Sequence, residues 1–209
     1  MEETGYRPAS SRLHLFAAMA AIAAATLPVS QAESGPQQVW RAGNYTFSDE
    51  LGDFTIRGVS GTGTRDDPIV VYEELQSSGP VTMTIRSVGP MLPENAAGNL
   101  ATSAMHLRLS IRNGSGQAWV EFEFELQEIL HKPSIFSDGL SFDQRRDNTD
   151  LIRSTGFAHF SRDFEPYDRL RFTKGTVDPT KSVDFSFALT DFTPRWTFYL
   201  VQDPRIPSS

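Results

Sequence analysis

Five stretches of this chain alternate apolar and polar residues with a period of two. Val81, Met83 and Ile85 alternate with Thr82, Thr84 and Arg86, and Met105, Leu107, Leu109 and Ile111 with His106, Arg108, Ser110 and Arg112. Val120, Phe122, Phe124 and Leu126 alternate with Glu121, Glu123, Glu125 and Gln127. The same holds for Val183, Phe185, Phe187 and Leu189, and for Trp196, Phe198 and Leu200. A strand points successive side chains to opposite faces, so each stretch predicts a strand with one buried side. Weaker candidates lie at 39–47, 54–59, 68–75, 156–160 and 168–173. About ten short strands separated by turn signals predict an all-β chain. The expected architecture is a two-sheet antiparallel β-sandwich with Greek-key or jelly-roll connections, with a closed barrel as the alternative.

Turn chemistry sharpens this expectation. Asn113-Gly114-Ser115-Gly116 separates two alternating stretches, and Asn-Gly is a strong hairpin signal. A turn centred between Gly114 and Ser115 sets Leu109 opposite Val120, Leu107 opposite Phe122 and Met105 opposite Phe124. It also sets Arg108 opposite Glu121 and His106 opposite Glu123, and a slip of one residue breaks both matches. A second hairpin is expected through Asp191-Phe192-Thr193-Pro194. Segments 89–103 and 131–154 read as long loops, and Pro204 and Pro207 as the end of the fold.

The first 32 residues read differently. Residues 13–27 are an Ala-rich apolar run preceded by Arg7 and Arg12, broken by Pro28 and followed by Ser30-Gln31-Ala32. This is the pattern of a signal-peptide helix cleaved after Ala32, too short to span a bilayer. The expected organisation is a signal peptide at 1–32, a flexible N-terminus at 33–38, one sandwich domain at 39–203 and a tail at 204–209. Of the 15 phenylalanines, 14 lie beyond the leader. The chain has no cysteine, which excludes a disulfide scaffold, a thiolate metal site and a cysteine nucleophile. Its net charge of −7 argues against nucleic acid or an anionic membrane surface as the main partner. No membrane span is expected once the leader is removed.

Four features are candidates for chemistry. Glu121, Glu123 and Glu125 form an acidic row, the arrangement by which a glycoside hydrolase presents an acid and a nucleophile. The same row also reads as a solvated strand face paired with Arg108 and His106. Asp138, Asp143, Asp147 and Asp150, with Asn148, supply hard oxygen ligands suited to calcium, although Arg145 and Arg146 sit among them. Trp119 and Tyr199 fall on the polar parity of their strands and could form an aromatic platform for sugar rings. The run Gly58-Val59-Ser60-Gly61-Thr62-Gly63 lacks the lysine of a phosphate loop and the spacing of a nucleophile elbow, so it reads as a turn. His106, His131 and His159 show no metal-ligand spacing. Asn44-Tyr45-Thr46 and Asn113-Gly114-Ser115 match glycosylation acceptors.

Resemblance adds a compartment rather than a chemistry. The segment Ser137-Asp138-Gly139-Leu140-Ser141-Phe142-Asp143-Gln144, then Tyr167-Asp168-Arg169-Leu170-Arg171-Phe172, then the stretches around Phe185/Phe187 and Phe198/Leu200, resembles exported bacterial β-sandwich proteins. Many of those carry a C-terminal Pro-Glu-Pro sorting signal. This sequence departs there, with no sorting motif, apolar helix or basic tail after Val201. Glu-Phe-Glu-Phe-Glu superficially resembles the acidic strand of laminarinase-like jelly rolls, without their Glu–Asp–Glu order. The expectation is a periplasmic or extracellular, non-enzymatic binding module of the envelope, matrix or adhesion type. Its partner would be a glycan or another envelope protein. The alternative is a carbohydrate-active enzyme using the Glu121/Glu123/Glu125 row.

Overall fold

A computed structural model describes residue 1 and residues 38–89, 103–143 and 151–207. The leader from residue 2, most of the 33–38 segment, most of the 89–103 loop and residues 144–150 lie outside them.

The regular structure of the described residues is nearly all strand, arranged in two sheets. The first sheet has seven strands. They are β1 (Trp40–Ala42), β2 (Tyr45–Ser48), β5 (Val81–Ser87), β13 (Thr197–Arg205), β7 (Glu121–Gln127), β11 (Arg169–Gly175) and β10 (Phe157–Asp163), in that spatial order. The second sheet runs β3 (Phe54–Ser60), β4 (Ile69–Leu75), β6 (Ser103–Asn113), β12 (Ser182–Asp191) and β8 (Leu140–Ser141), with β9 (Arg153–Ser154) also on β12. Pairing is antiparallel except for the parallel pair β4 and β6. Neither sheet closes on itself, so the barrel alternative is set aside. The only helical turn among the described residues is a 3-10 turn at Phe136–Asp138.

The alternating stretches form strands with the expected buried parity, apart from Trp196 and Val120, which precede β13 and β7. Met83, Leu107, Leu109, Phe122, Phe124, Phe185 and Leu200 are all buried. Both expected hairpins are absent, however. Strands β6 and β7 are consecutive but lie in different sheets, and so do β12 and β13. Both sides of β6 are already taken, by β4 and β12.

The Asn-Gly segment therefore carries the chain from one sheet to the other, and Asn113 fixes the crossing. Its buried amide donates from Nδ2 to the carbonyls of Gln117 at 2.7 Å and Val177 at 2.9 Å. Its Oδ1 accepts from the Ser115 amide at 3.1 Å and the Ser115 hydroxyl at 2.7 Å. This Asx-type turn replaces the two-residue hairpin. It also leaves the Asn113 amide no room for a glycan.

The tail boundary shifts too. Strand β13 continues through Pro204 to Arg205, with Pro204 opposite Phe122. Its pairing with β5 ends at Gln202, so the proline lies where β13 has one neighbour only and a missing N–H is tolerated. The 39–47 candidate divides at Gly43 into β1 and β2. The 131–154 segment holds the 3-10 turn, β8 and β9.

One apolar cluster draws on both sheets. Its centre is Phe185 of the second sheet, whose ring lies 4.7 Å from Phe122, 5.0 Å from Phe124, 4.8 Å from Phe172 and 5.9 Å from Phe157. All four partners belong to the first sheet. Phe185→Ala is expected to cost about 3–5 kcal/mol through lost burial and the cavity left behind. Urea unfolding followed by fluorescence and circular dichroism measures it, and a loss under ~1 kcal/mol would contradict the central role of this ring. Asn113→Ala is expected to cost about 2–3 kcal/mol in the same assay, because it strips the crossing of its hydrogen bonds.

Candidate functional site

Glu121, Glu123 and Glu125 stand on the outward face of β7, because Phe122, Phe124 and Leu126 between them fill the core. Their partners are arginines of the flanking strands β11 and β13. Arg169 places Nη2 2.7 Å and Nε 2.9 Å from Glu125 Oε2, and its Nε lies 3.7 Å from Glu123. Arg171 pairs with Glu121, and Arg205 lies 3.4 Å from Glu123 and 2.8 Å from Asp203. Gln127 donates to Glu125 Oε1 at 2.9 Å. The expected counter-ions Arg108 and His106 are on β6, in the other sheet, so that assignment is corrected. Each acid of the row is engaged by an arginine. Glycoside hydrolysis asks one carboxyl to donate a proton and the other to attack or activate water.

The two aromatic candidates separate. Trp119 is fully buried, so it is no platform. It packs edge-on against Phe122 at 5.5 Å and donates its indole N–H to Ser115 Oγ at 3.1 Å. The cause is the crossing itself: Trp119 and Val177 exchange backbone hydrogen bonds, which turns the indole inward before β7 begins. Tyr199 is half-buried on the outward face of the first sheet, opposite Thr84 and Gln127.

The Asp138 carboxylate serves the local backbone. Asp138 accepts from the amides of Ile135 at 2.9 Å and Leu140 at 3.2 Å, which closes the 3-10 turn. Asp143 has a φ of 45°, and its carbonyl accepts from Arg162 at 3.0 Å. Asp147 and Asp150, with Asn148, lie outside the described residues. Among the described residues no cluster of three or more histidines or acids could hold a metal. No described helix is long and apolar enough to cross a membrane.

Sequence reasoning missed a set of buried acids. Glu73 sits on the apolar parity of β4, between Val71 and Leu75, and that misplacement was the available signal. It is buried between the sheets, where Gln202 Nε2 donates to its Oε2 at 3.1 Å. Burial pushes its carboxyl from 4.5 up to about 8, with the nearby Asp49 adding to the effect. Glu73 Oε1 and Gln202 Oε1 both lack partners among the described residues. A protonated Glu73 would supply the hydrogen those two oxygens need. Burial likewise raises Asp168 to about 7 against a 3.0 Å bond from Ser141, and Asp191 to about 6.

Asp168 and Asp191 belong to one end of the molecule, where three loops are laced together. The Phe192 amide donates to Gly139 at 3.1 Å, and the Thr193 hydroxyl to the Asp138 carbonyl at 2.6 Å. The Asp168 amide donates to Ser134 at 3.1 Å, and Arg195 meets Glu128 at 2.8 Å. These bonds hold loops that expose Ile129, Ile135, Tyr167, Phe192 and Trp196, the last 69% exposed. Trp196 is anchored through its own carbonyl, which accepts from the Ser87 amide at 3.0 Å. Ile135, Ser137, Glu165 and Pro166 line an open cleft of about 340 Å³ at this end. The sequence parity had put Trp196 on the apolar side of its strand, but β13 begins one residue later.

The raised carboxyls set a pH dependence. The unfolded chain releases the Glu73 proton near 4.5, whereas the folded chain keeps it to about 8. Between those values the folded state binds more protons, so stability falls as pH rises and levels off above about 8. Asp168 and Asp191 act in the same direction over narrower windows. Glu73→Gln is expected to flatten this decline, raising the melting temperature at pH 8 relative to the parent more than at pH 5. Melts of both proteins across that range check it, and parallel curves would contradict it.

No protein-family model matches this sequence, and no curated protein matches it.

Proposed function

We propose that this chain is an exported, non-enzymatic β-sandwich, a glycan-binding module of the envelope or extracellular matrix. In this reading residues 1–32 are its cleaved leader, and the resemblance to exported bacterial sandwich proteins reflects a shared compartment. The two sheets with one core support the sandwich, and the cross-sheet passages after β6 and β12 suit a Greek-key or jelly-roll path better than a meander.

The observation that carries the reading is the laced loop end. Trp196 stands largely in solvent and Tyr167 and Phe192 keep part of their rings exposed, with the Arg169 guanidinium 5.3 Å from the centre of the Tyr167 ring, on loops that hydrogen bonds hold in place. An exposed ring on a rigid support binds at low entropic cost, because little ordering remains to be done. Pyranose rings present C–H faces that stack on such rings. The hydroxyls around them find acceptors and donors in Glu165, Ser137 and the Arg195–Glu128 pair. The engagement of Glu121, Glu123 and Glu125 by arginines supports binding over hydrolysis.

A glycan array probed with the secreted chain tests the reading. Binding is expected to be lost or weakened at least tenfold in Trp196→Ala, while the melting temperature stays within a few degrees. A blank array for the parent would sink the glycan assignment. The enzyme alternative has its own control. Hydrolysis of a polysaccharide panel, abolished by Glu121→Gln or Glu125→Gln, would overturn the non-enzymatic reading.

A further inference from the structure

We propose a second binding site, for a phosphate or sulfate group, on the outward face of the second sheet. It rests on a different part of the molecule from the loop end and does not depend on the glycan reading. A pocket of about 60 Å³ opens there, lined by Arg65, His106, Arg108, Arg153 and Ser186 over the strand positions of Leu107 and Phe187, whose side chains belong to the core. That space suits a few waters or one small oxyanion. Among the described residues no carboxylate lines it.

Charge bookkeeping makes this pocket unusual. The chain is acidic overall, at −7. Twelve arginines lie in the described residues, and eight of them hold a carboxylate or a carbonyl or have a partner otherwise. Among the described residues the side chains of the remaining four, Arg41, Arg65, Arg108 and Arg153, hold neither an ion pair nor a hydrogen bond. Three of those four line this one pocket. Like charges gathered without a counter-ion repel one another, so the arrangement gains from an anion placed among them. Guanidinium groups present forked donors that match the oxygens of phosphate and sulfate.

The geometry comes from register. Arg108 of β6 and Arg153 of β9 both stand opposite Ser186 of β12, one on each side. Their Cα atoms are thus two strand spacings apart, about 10 Å, with a hydroxyl between them. Arg65 arrives from above on the Gly-rich segment that read only as a turn. Gly61 has a φ of 88°, and a Cβ there would fall 2.0 Å from the Pro68 carbonyl oxygen. Only glycine makes this tight return. The segment is closed by bonds from the Thr62 and Gly63 amides to Asp67, and it is tied to the sheet by the His106 amide on the Gly63 carbonyl at 2.9 Å. Arg65 is therefore carried on a braced loop.

The full chain titrated with inorganic phosphate and with sulfate by calorimetry, at fixed ionic strength set with chloride, tests this. Saturable binding at one site is expected, weakened at least tenfold by Arg108→Ala and by Arg153→Ala. Arg41→Ala, equally unpaired but outside the pocket, is expected to bind as the parent does. Equal affinity for methyl phosphate would assign a group carried on a larger molecule, and a clear preference for the inorganic ion would assign the free anion. Either result supports the site. No saturable binding by the parent, unchanged binding in the two pocket variants, or an equal loss in Arg41→Ala would each overturn it.

Discussion

The packing of one ring, Phe185, against four rings of the facing sheet is the contact on which the rest of this structure depends. Phe122, Phe124, Phe157 and Phe172 come from three different strands of the first sheet, and Phe185 meets them all. Without disulfides, the two sheets are held by apolar area and ring geometry. That contact has a directional consequence. With Phe122 and Phe124 turned inward, Glu121, Glu123 and Glu125 must face outward. The acidic row is a by-product of the core parity, and arginines on the neighbouring strands settle its charge.

The parity of the strands was legible in the sequence because burial acts locally on each strand. The partners of those strands were not. The Asn-Gly turn gave a hairpin register in which apolar faced apolar and plus faced minus. Yet β7 finds the same complementarity with β11 and β13, where Arg169, Arg171 and Arg205 meet the glutamates. Alternating strands of similar composition are interchangeable as neighbours, so pairwise matching cannot choose among them. What decides is non-local. Strand β6 already has β4 and β12, and the Asn113 side chain spends all its hydrogen bonds on a crossing rather than a hairpin. Trp119 was misread for the same reason, since the strand parity assigned to it does not apply before β7 begins.

The site residues show the same division. Glu73 was legible as an acid on an apolar parity, and its burial follows from β4 alone. Trp196 was illegible, because a shift of one residue in the start of β13 decides whether it faces the core or the solvent. Loop residues have no periodicity to read, so the lacing of Asp138, Thr193, Glu128 and Arg195 emerges only in three dimensions.

The pairing of arginines sets one patch of the second sheet apart, although Arg57 and Arg112 of that sheet both meet Glu74. On the first sheet, each outward arginine of β11 and β13 sits beside a glutamate one strand away, so each of these guanidinium groups has a carboxylate partner. On the second sheet, Arg108 and Arg153 flank a serine instead, and the braced loop brings Arg65 toward them. The protein has carboxylates to spare, since acids outnumber bases by seven. That the described residues bring no carboxylate to this cluster is therefore a matter of placement rather than of composition. A sheet face needs no such arrangement to fold, because exposed arginines in solvent contribute little to stability either way. Register places two guanidinium groups about one small pocket and the loop adds a third, and the counter-charge that the described residues do not supply is the one the proposed anion would bring.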